Sequence, residues 1–199
     1  MKCIYLDHNA TTPVRKEVLD AMMPYFSEEY GNASSVYSMG QKARQKIDES
    51  RELIGNALGT EATDIIFTSG GTESNNFAIK GVAMANLNKG RHVITSGIEH
   101  PAVLEPCRFI EKELGFDVTY LPVDKYGVVD LDRLKGSIKK DTVLISIMFA
   151  NNETGTIQPI KEIAKIARGN KIYFHTDAVQ VLGKLPIDVE ELGVDLCSF

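Results

Sequence analysis

Short apolar runs alternate with longer amphipathic stretches along the chain. Residues 65–67, 92–95, 118–123, 143–150, 171–175 and 194–199 form runs rich in β-branched and aromatic side chains. These runs are apolar without strict alternation, so they predict strands covered on both sides, as in a parallel sheet. Helical periods lie between them. The stretch 37–58 places Ala43, Ile47, Ile54 and Leu58 near one face, with charges on the other. The stretch 72–87 carries Phe77, Ile79, Val82 and Ala83 in a mostly apolar helix, and 102–114 and 161–167 follow the same rule. Asp130 is placed to cap a helix opening at 130–134. This order predicts an α/β fold in three layers, a mostly parallel sheet covered by helices on both faces with right-handed crossovers.

Residues 1–15 read as a polar N-terminal arm, and 16–199 as one large domain. The run 194–199 has the character of a buried strand, where domains rarely end, so the expectation is a fragment of a larger domain. The chain has 199 residues, 43% of them hydrophobic and 25% charged, enough to bury a core. A net charge of -5 argues against a nucleic-acid partner. The longest apolar stretch is broken by Ser146 and falls far short of the ~20 residues of a membrane span. The start, Met1 to Asp7, lacks signal-peptide architecture. The three cysteines, Cys3, Cys107 and Cys197, are far apart and include no CxxC pair, so a reducing, cytoplasmic setting is expected. His8, His92, His100 and His175 lack ligand spacing, so no metal site is expected.

Four polar stretches follow predicted strands and share one edge of the expected sheet. Thr68-Ser69-Gly70-Gly71-Thr72-Glu73-Ser74-Asn75-Asn76 runs from a strand through two glycines into a helix. Free N–H groups and the positive helix end there make a phosphate cup, although a tight turn with a Thr cap is the plain alternative. It is neither a Walker A loop nor a GxGxxG fingerprint. Glu99-His100 stands where open α/β sheets bind ligands, unless His100 is merely a cap. Asn151-Asn152-Glu153 offers amides for polar ligand groups, or a polar turn. Asp177 follows an apolar strand and, if buried, needs a cation or strong donors; a protonated ring nitrogen would serve, and an N-cap is the alternative. Gln180, one helical turn on, could face the same ligand. Together, a phosphate cup, a stacking His, a ring-hydroxyl amide and a pyridinium-binding Asp describe pyridoxal 5′-phosphate.

These stretches, with the arm 5–12 and Gly31-Asn32-Ala33-Ser34-Ser35, resemble the cysteine desulfurases (NifS/IscS-like) of the class V aminotransferase branch of fold-type I pyridoxal-phosphate enzymes. The resemblance runs in order along the whole chain. It implies that Gly71 and Thr72 hold the phosphate, and that His100 stacks on the pyridine ring and moves protons. It implies that Asn152 and Gln180 contact the ring-hydroxyl side, and that Asp177 pairs with the ring nitrogen. The implied reaction takes sulfur from L-cysteine, giving L-alanine and an enzyme persulfide for iron–sulfur cluster assembly on a scaffold protein. The family forms homodimers. Its Schiff-base lysine follows a Ser-Phe pair, and here Ser198-Phe199 close the sequence. The resemblance therefore covers an N-terminal portion, a partial cofactor-binding domain. The lysine, the nucleophilic cysteine, the substrate-carboxylate arginine and the small C-terminal domain are not among these residues. The three cysteines do not match the nucleophile's context and read as inert. The 199 residues alone are expected not to turn over cysteine. Alternatives are another class V enzyme, such as a selenocysteine lyase or an aminotransferase, and a non-catalytic scaffold subunit.

Overall fold

The computed structural model describes residues 4–199, in two compact units that divide between Ile66 and Phe67. In the first unit, residues 4–15 hold neither helix nor strand. Helices α1 (Lys16–Met22), α2 (Pro24–Ser27) and α3 (Ser38–Leu58) follow. The long helix α3 matches the sequence period, and Gly59 ends it in the left-handed conformation, φ 70°. Gly40 lets its first turn approach the preceding loop, since a Cβ there would strike the carbonyl oxygens of Ser35 and Asn32. The two short helices carry no buried residue, and no sequence period announces them.

The second unit is an α/β layer structure. Helix α4 (Gly71–Ala85) leads to strand β1 (His92–Ser96), helix α5 (Pro101–Leu114) and strand β2 (Asp117–Leu121). Helix α6 (Leu131–Ser137), strand β3 (Thr142–Ser146), helix α7 (Ile160–Gly169) and strand β4 (Tyr173–Asp177) come next, then helix α8 (Val189–Leu192) and strand β5 (Leu196–Ser198). The sheet order is β2-β1-β3-β4-β5, with every pair parallel. The chain steps outward from β1 to β2, then returns to β3 and moves the other way to β4. Right-handed crossovers in opposite directions put α5 on one face and α7 on the other. Strands β1 and β3 are buried at every position, which is why their sequences show no alternation. On the α4–α5 face, Ile79, Ala83, Val103, Cys107 and Ile110 close over Val93, Val118 and Leu144.

Most boundaries match the sequence reading within a residue or two. Asp130 caps α6, its Oδ1 accepting from the N–H groups of Asp132 and Arg133 at 2.8 and 3.2 Å. Two expectations fail. The run 65–67 forms no strand among the described residues: Ile66 is 64% and Phe67 48% exposed, and the five-stranded sheet does not include it. An apolar run becomes a strand only where another chain segment offers its backbone groups. The stretch after Asp177 is not a helix but a pair of turns, in which Val181 and Leu182 both donate to the carbonyl of Ala178, and Lys184 and Leu185 to that of Val181.

Candidate functional site

The order of strands reverses between β1 and β3, and in open α/β sheets the crevice beyond the strands' carboxyl ends at such a point is where ligands bind. Residues 97–100 leave β1 there, and residues 147–155 leave β3. Beside them stand the end of β4 and the start of α4.

The start of α4 shows why glycines are needed. Gly70 takes φ 155°, ψ 177°, and a Cβ on Gly71 would lie 2.6 Å from Cγ2 of Val179. Ser74 donates back to the carbonyl of Gly70 at 3.1 Å, so the N–H groups of Gly71, Thr72 and Glu73 begin the helix without intrahelical acceptors. Glu73 folds back instead of filling the cup. Its Oε2 accepts from both the N–H and the hydroxyl of Ser69 at 2.6 Å, which holds its carboxyl below the usual carboxylate range. The plain turn reading is thus also true of the backbone, but the cap that a Thr72 side chain would have supplied does not form: no side chain caps α4.

Asp177 closes β4 and is buried. Its Oδ2 accepts from Asn75 Nδ2 at 2.7 Å and its Oδ1 from the Val179 N–H at 3.0 Å. Both donors are neutral, so neither supplies a positive charge to the carboxyl. Beneath it His175 is wholly buried. Its Nδ1 meets Ser146 Oγ at 2.8 Å and its Nε2 meets Ser198 Oγ at 2.9 Å. Ser74 Oγ donates to the same Ser198 Oγ at 2.9 Å. A polar chain therefore ties the first turn of α4 to three strands. Burial pushes the His175 imidazolium down to about 4, so the ring is neutral.

His100 is the N-cap of α5 and also an exposed ring. Its Nδ1 accepts from the Ala102 N–H at 3.1 Å, which leaves the proton of the neutral ring on Nε2. Asn152 is half-buried and donates to Glu153 Oε1 at 2.9 Å. Gln180, also half-buried, accepts from Lys184 Nζ at 2.7 Å.

The structure joins these positions through Asn75 and Glu99, to which the sequence reading gave no individual role, and through Asn151, which it read as an amide for a ligand. Asn75 links the cup helix to Asp177. Glu99 Oε1 accepts from Ser96 Oγ at 2.6 Å and from the Met148 N–H at 3.0 Å. Asn151 Nδ2 donates to the Ile98 carbonyl at 3.0 Å, while its Oδ1 accepts from Glu153 N and Thr154 N at 2.9 Å each. A polar residue at a core position of an apolar helix was the available signal for Asn75. Cys107 and Cys197 have thiols pushed up to about 12 by burial, so neither is a ready nucleophile. Cys3 lies outside the described residues.

The donor set matches what a phosphorylated pyridine requires. Helix N–H groups stand at one end and a buried carboxylate with neutral partners at the other, with an accessible imidazole and amides on the neighbouring loops.

The family described as aminotransferase class-V matches residues 4–199. The chain is 60% identical over 197 residues to cysteine desulfurase IscS of Methanosarcina thermophila, which spans 99% of this chain and 48% of that protein. It is 61% identical over 195 residues to the IscS of Dictyoglomus turgidum, across 98% of this chain and 49% of that one. Among solved structures, a NifS-like protein superposes with a TM-score of 0.94 at 43% identity, covering 98% of this chain and 54% of its own. The apo structure of a cysteine desulfurase from Thermococcus onnurineus gives 0.88 at 29% identity, over 97% and 48%. The chain spans about half the length of the curated relatives it matches.

Proposed function

The chain belongs to the class-V aminotransferase family, and on that footing we propose that the whole protein is a pyridoxal-phosphate-dependent cysteine desulfurase. It takes sulfur from L-cysteine, leaves L-alanine, and passes the sulfur as a persulfide to an iron–sulfur scaffold protein. By the same reading it works in the cytoplasm as a homodimer. The observation that carries the proposal is the bond from Asn75 to Asp177, 2.7 Å, because one helix then both opens the phosphate cup and orients the buried carboxylate.

Bound pyridoxal phosphate supplies an electron sink for the substrate's α-carbon. The chain's own residues hold and tune it. The N–H groups of Gly71 and Thr72 would hold the phosphate at the positive end of α4. Asp177 would pair with the ring nitrogen and keep it protonated, which strengthens the sink. His100 would stack on the pyridine ring, with an exchangeable proton at Nε2. Asn152 and Gln180 would contact the ring-hydroxyl side.

The test uses the full-length protein loaded with pyridoxal phosphate and given L-cysteine and a thiol reductant. Equal amounts of alanine and sulfide over many turnovers are expected. Amino-group exchange with a keto acid and no sulfide would overturn the desulfurase reading in favour of an aminotransferase.

A further inference from the structure

Among the described residues, Glu99 and Asp177 are the two buried carboxyls. Asp177 has a task in the proposed function and Glu99 has none. Its bonding is lopsided. Oε1 takes both donors, Ser96 Oγ at 2.6 Å and the Met148 N–H at 3.0 Å, while the buried Oε2 takes none among the described residues. Ser96 is the last residue of β1, and Met148 lies two residues beyond β3. One oxygen thus bridges the two strand ends between which the sheet order reverses.

A second bridge runs alongside. Asn151 Nδ2 donates to the Ile98 carbonyl at 3.0 Å and approaches Met148 Sδ at 3.4 Å. Gly97 donates to the Leu121 carbonyl at 2.9 Å, which ties the same loop to β2. The four residues between β1 and α5 are therefore held from both sides, and the last of them is His100.

We propose that Glu99 is a positioning residue for His100: its carboxyl pins the β1–α5 loop to the end of β3 and so sets where the imidazole stands at the crevice. The proposal rests on the reading of His100 as the ring that faces the cofactor.

The bonding gives a carboxylate little support: Oε1 accepts twice, and the buried Oε2 has no partner among the described residues. A carboxylate here would put charge on a buried oxygen that has no donor. The titratable groups facing it are Asp177 from the end of β4 and Cys107 from α5, and neither offers a positive charge. Burial first, and the Asp177 charge last, raise the carboxyl to about 8, against the two hydrogen bonds that lower it. A neutral clamp holds the loop without adding a second negative charge beside Asp177, whose charge the ring nitrogen needs.

The experiment uses the full-length, cofactor-loaded protein, 15N-labelled at histidine. Glu99→Leu removes the acceptor and Glu99→Gln keeps it. Glu99→Leu should move the His100 ring resonances and lower kcat for L-cysteine about tenfold or more, with KM within about twofold, because only the placing of the ring has changed. Glu99→Gln should return the resonances and most of kcat. Unmoved His100 resonances in a folded Glu99→Leu protein overturn the proposal, as does a glutamine variant no better than leucine. If Glu99→Leu does not fold, Ser96→Ala carries the test by removing one of the two donors. Moved His100 resonances then support the clamp, and unmoved ones overturn it. Wild-type protein that makes no alanine from cysteine defeats the proposed function alone, because the resonance test of the clamp needs no turnover.

Discussion

Asn75 donates its side-chain amide to the carboxylate of Asp177, Nδ2 to Oδ2 at 2.7 Å, across 102 positions of sequence. The acceptor decides the orientation of the amide, since a flipped Asn75 would set two oxygens face to face. Asn75 lies one helical turn beyond Gly71 and Thr72. The separation between the free N–H groups of Gly71 and Thr72 and the Asp177 carboxyl is thus set inside a single helix and its contact with β4. A flexible loop would not hold that distance as well.

Asn75→Ala should lower the free energy of unfolding by about 2 kcal/mol, the cost of leaving the buried Oδ2 of Asp177 without a donor while Oδ1 keeps the Val179 N–H. Urea titration at neutral pH measures it. The double variant with Asp177→Ala should cost clearly less than the sum of the single losses, because the two side chains share one interaction. Additive losses would show that the bond is dispensable.

Gly71→Ala should destabilise through one named clash. The new Cβ would lie 2.6 Å from Cγ2 of Val179, a β-branched side chain with little freedom to turn away. A loss of about 1–3 kcal/mol is expected, as for other overpacked sites. Val179→Ala should recover most of it, because it removes the struck methyl. Calorimetry on the two single variants and the double variant decides this, and no recovery in the double would place the cost in the backbone of the turn.

How much of this was legible in the sequence follows from where each partner lies. β1 and β3 are buried on both faces, so their signal is local and could be read. The run 65–67 carries the same local signal and is not a strand, because a run's own residues do not say whether another segment will pair with it. Helix α5 announces itself with Pro101 at its start and Gly115 at its end, whereas α1 and α2, of 7 and 4 residues, are too short for a period. At the candidate site, Gly71, His100, Asn152 and Asp177 stand out as polar or glycine residues beside apolar runs. Their supports do not, since Glu99 meets Met148 and Asn151 meets Ile98 from 49 and 53 positions away.

Neither Cys107 nor Cys197 should be alkylated by iodoacetamide in the native protein at pH 8. Burial raises both thiols to about 12, so the thiolate fraction at that pH is negligible. Both should react fully in denaturant. Mass spectrometry of tryptic peptides separates the two sites. Rapid native labelling of Cys197, which is less buried than Cys107, would make it a candidate nucleophile after all.

Two buried groups should make opposing contributions to stability in mildly acidic solution. His175 is pushed from 6.5 to about 4, so its contribution is whole above 6.5 and is lost as the pH falls toward 4. Glu99 is pushed from 4.5 to about 8, so its contribution is whole below 4.5 and is lost as the pH rises toward 8. At about 1.4 kcal/mol per pH unit of displacement, the ceilings are roughly 3 kcal/mol for His175 and roughly 5 for Glu99. Between pH 4.5 and 6.5 the two slopes oppose and cancel. Of these two groups, Glu99 alone acts above that window and His175 alone below it, and the buried His92, also lowered, adds to the His175 slope. Glu99→Gln removes one slope and keeps the hydrogen-bond acceptor. The difference in unfolding free energy between this variant and the wild type should therefore grow steadily in the variant's favour from pH 4.5 to 8. Urea titrations at half-unit intervals measure that difference. A difference that does not change with pH would mean that Glu99 is ionised in the folded protein and that Oε2 has a donor.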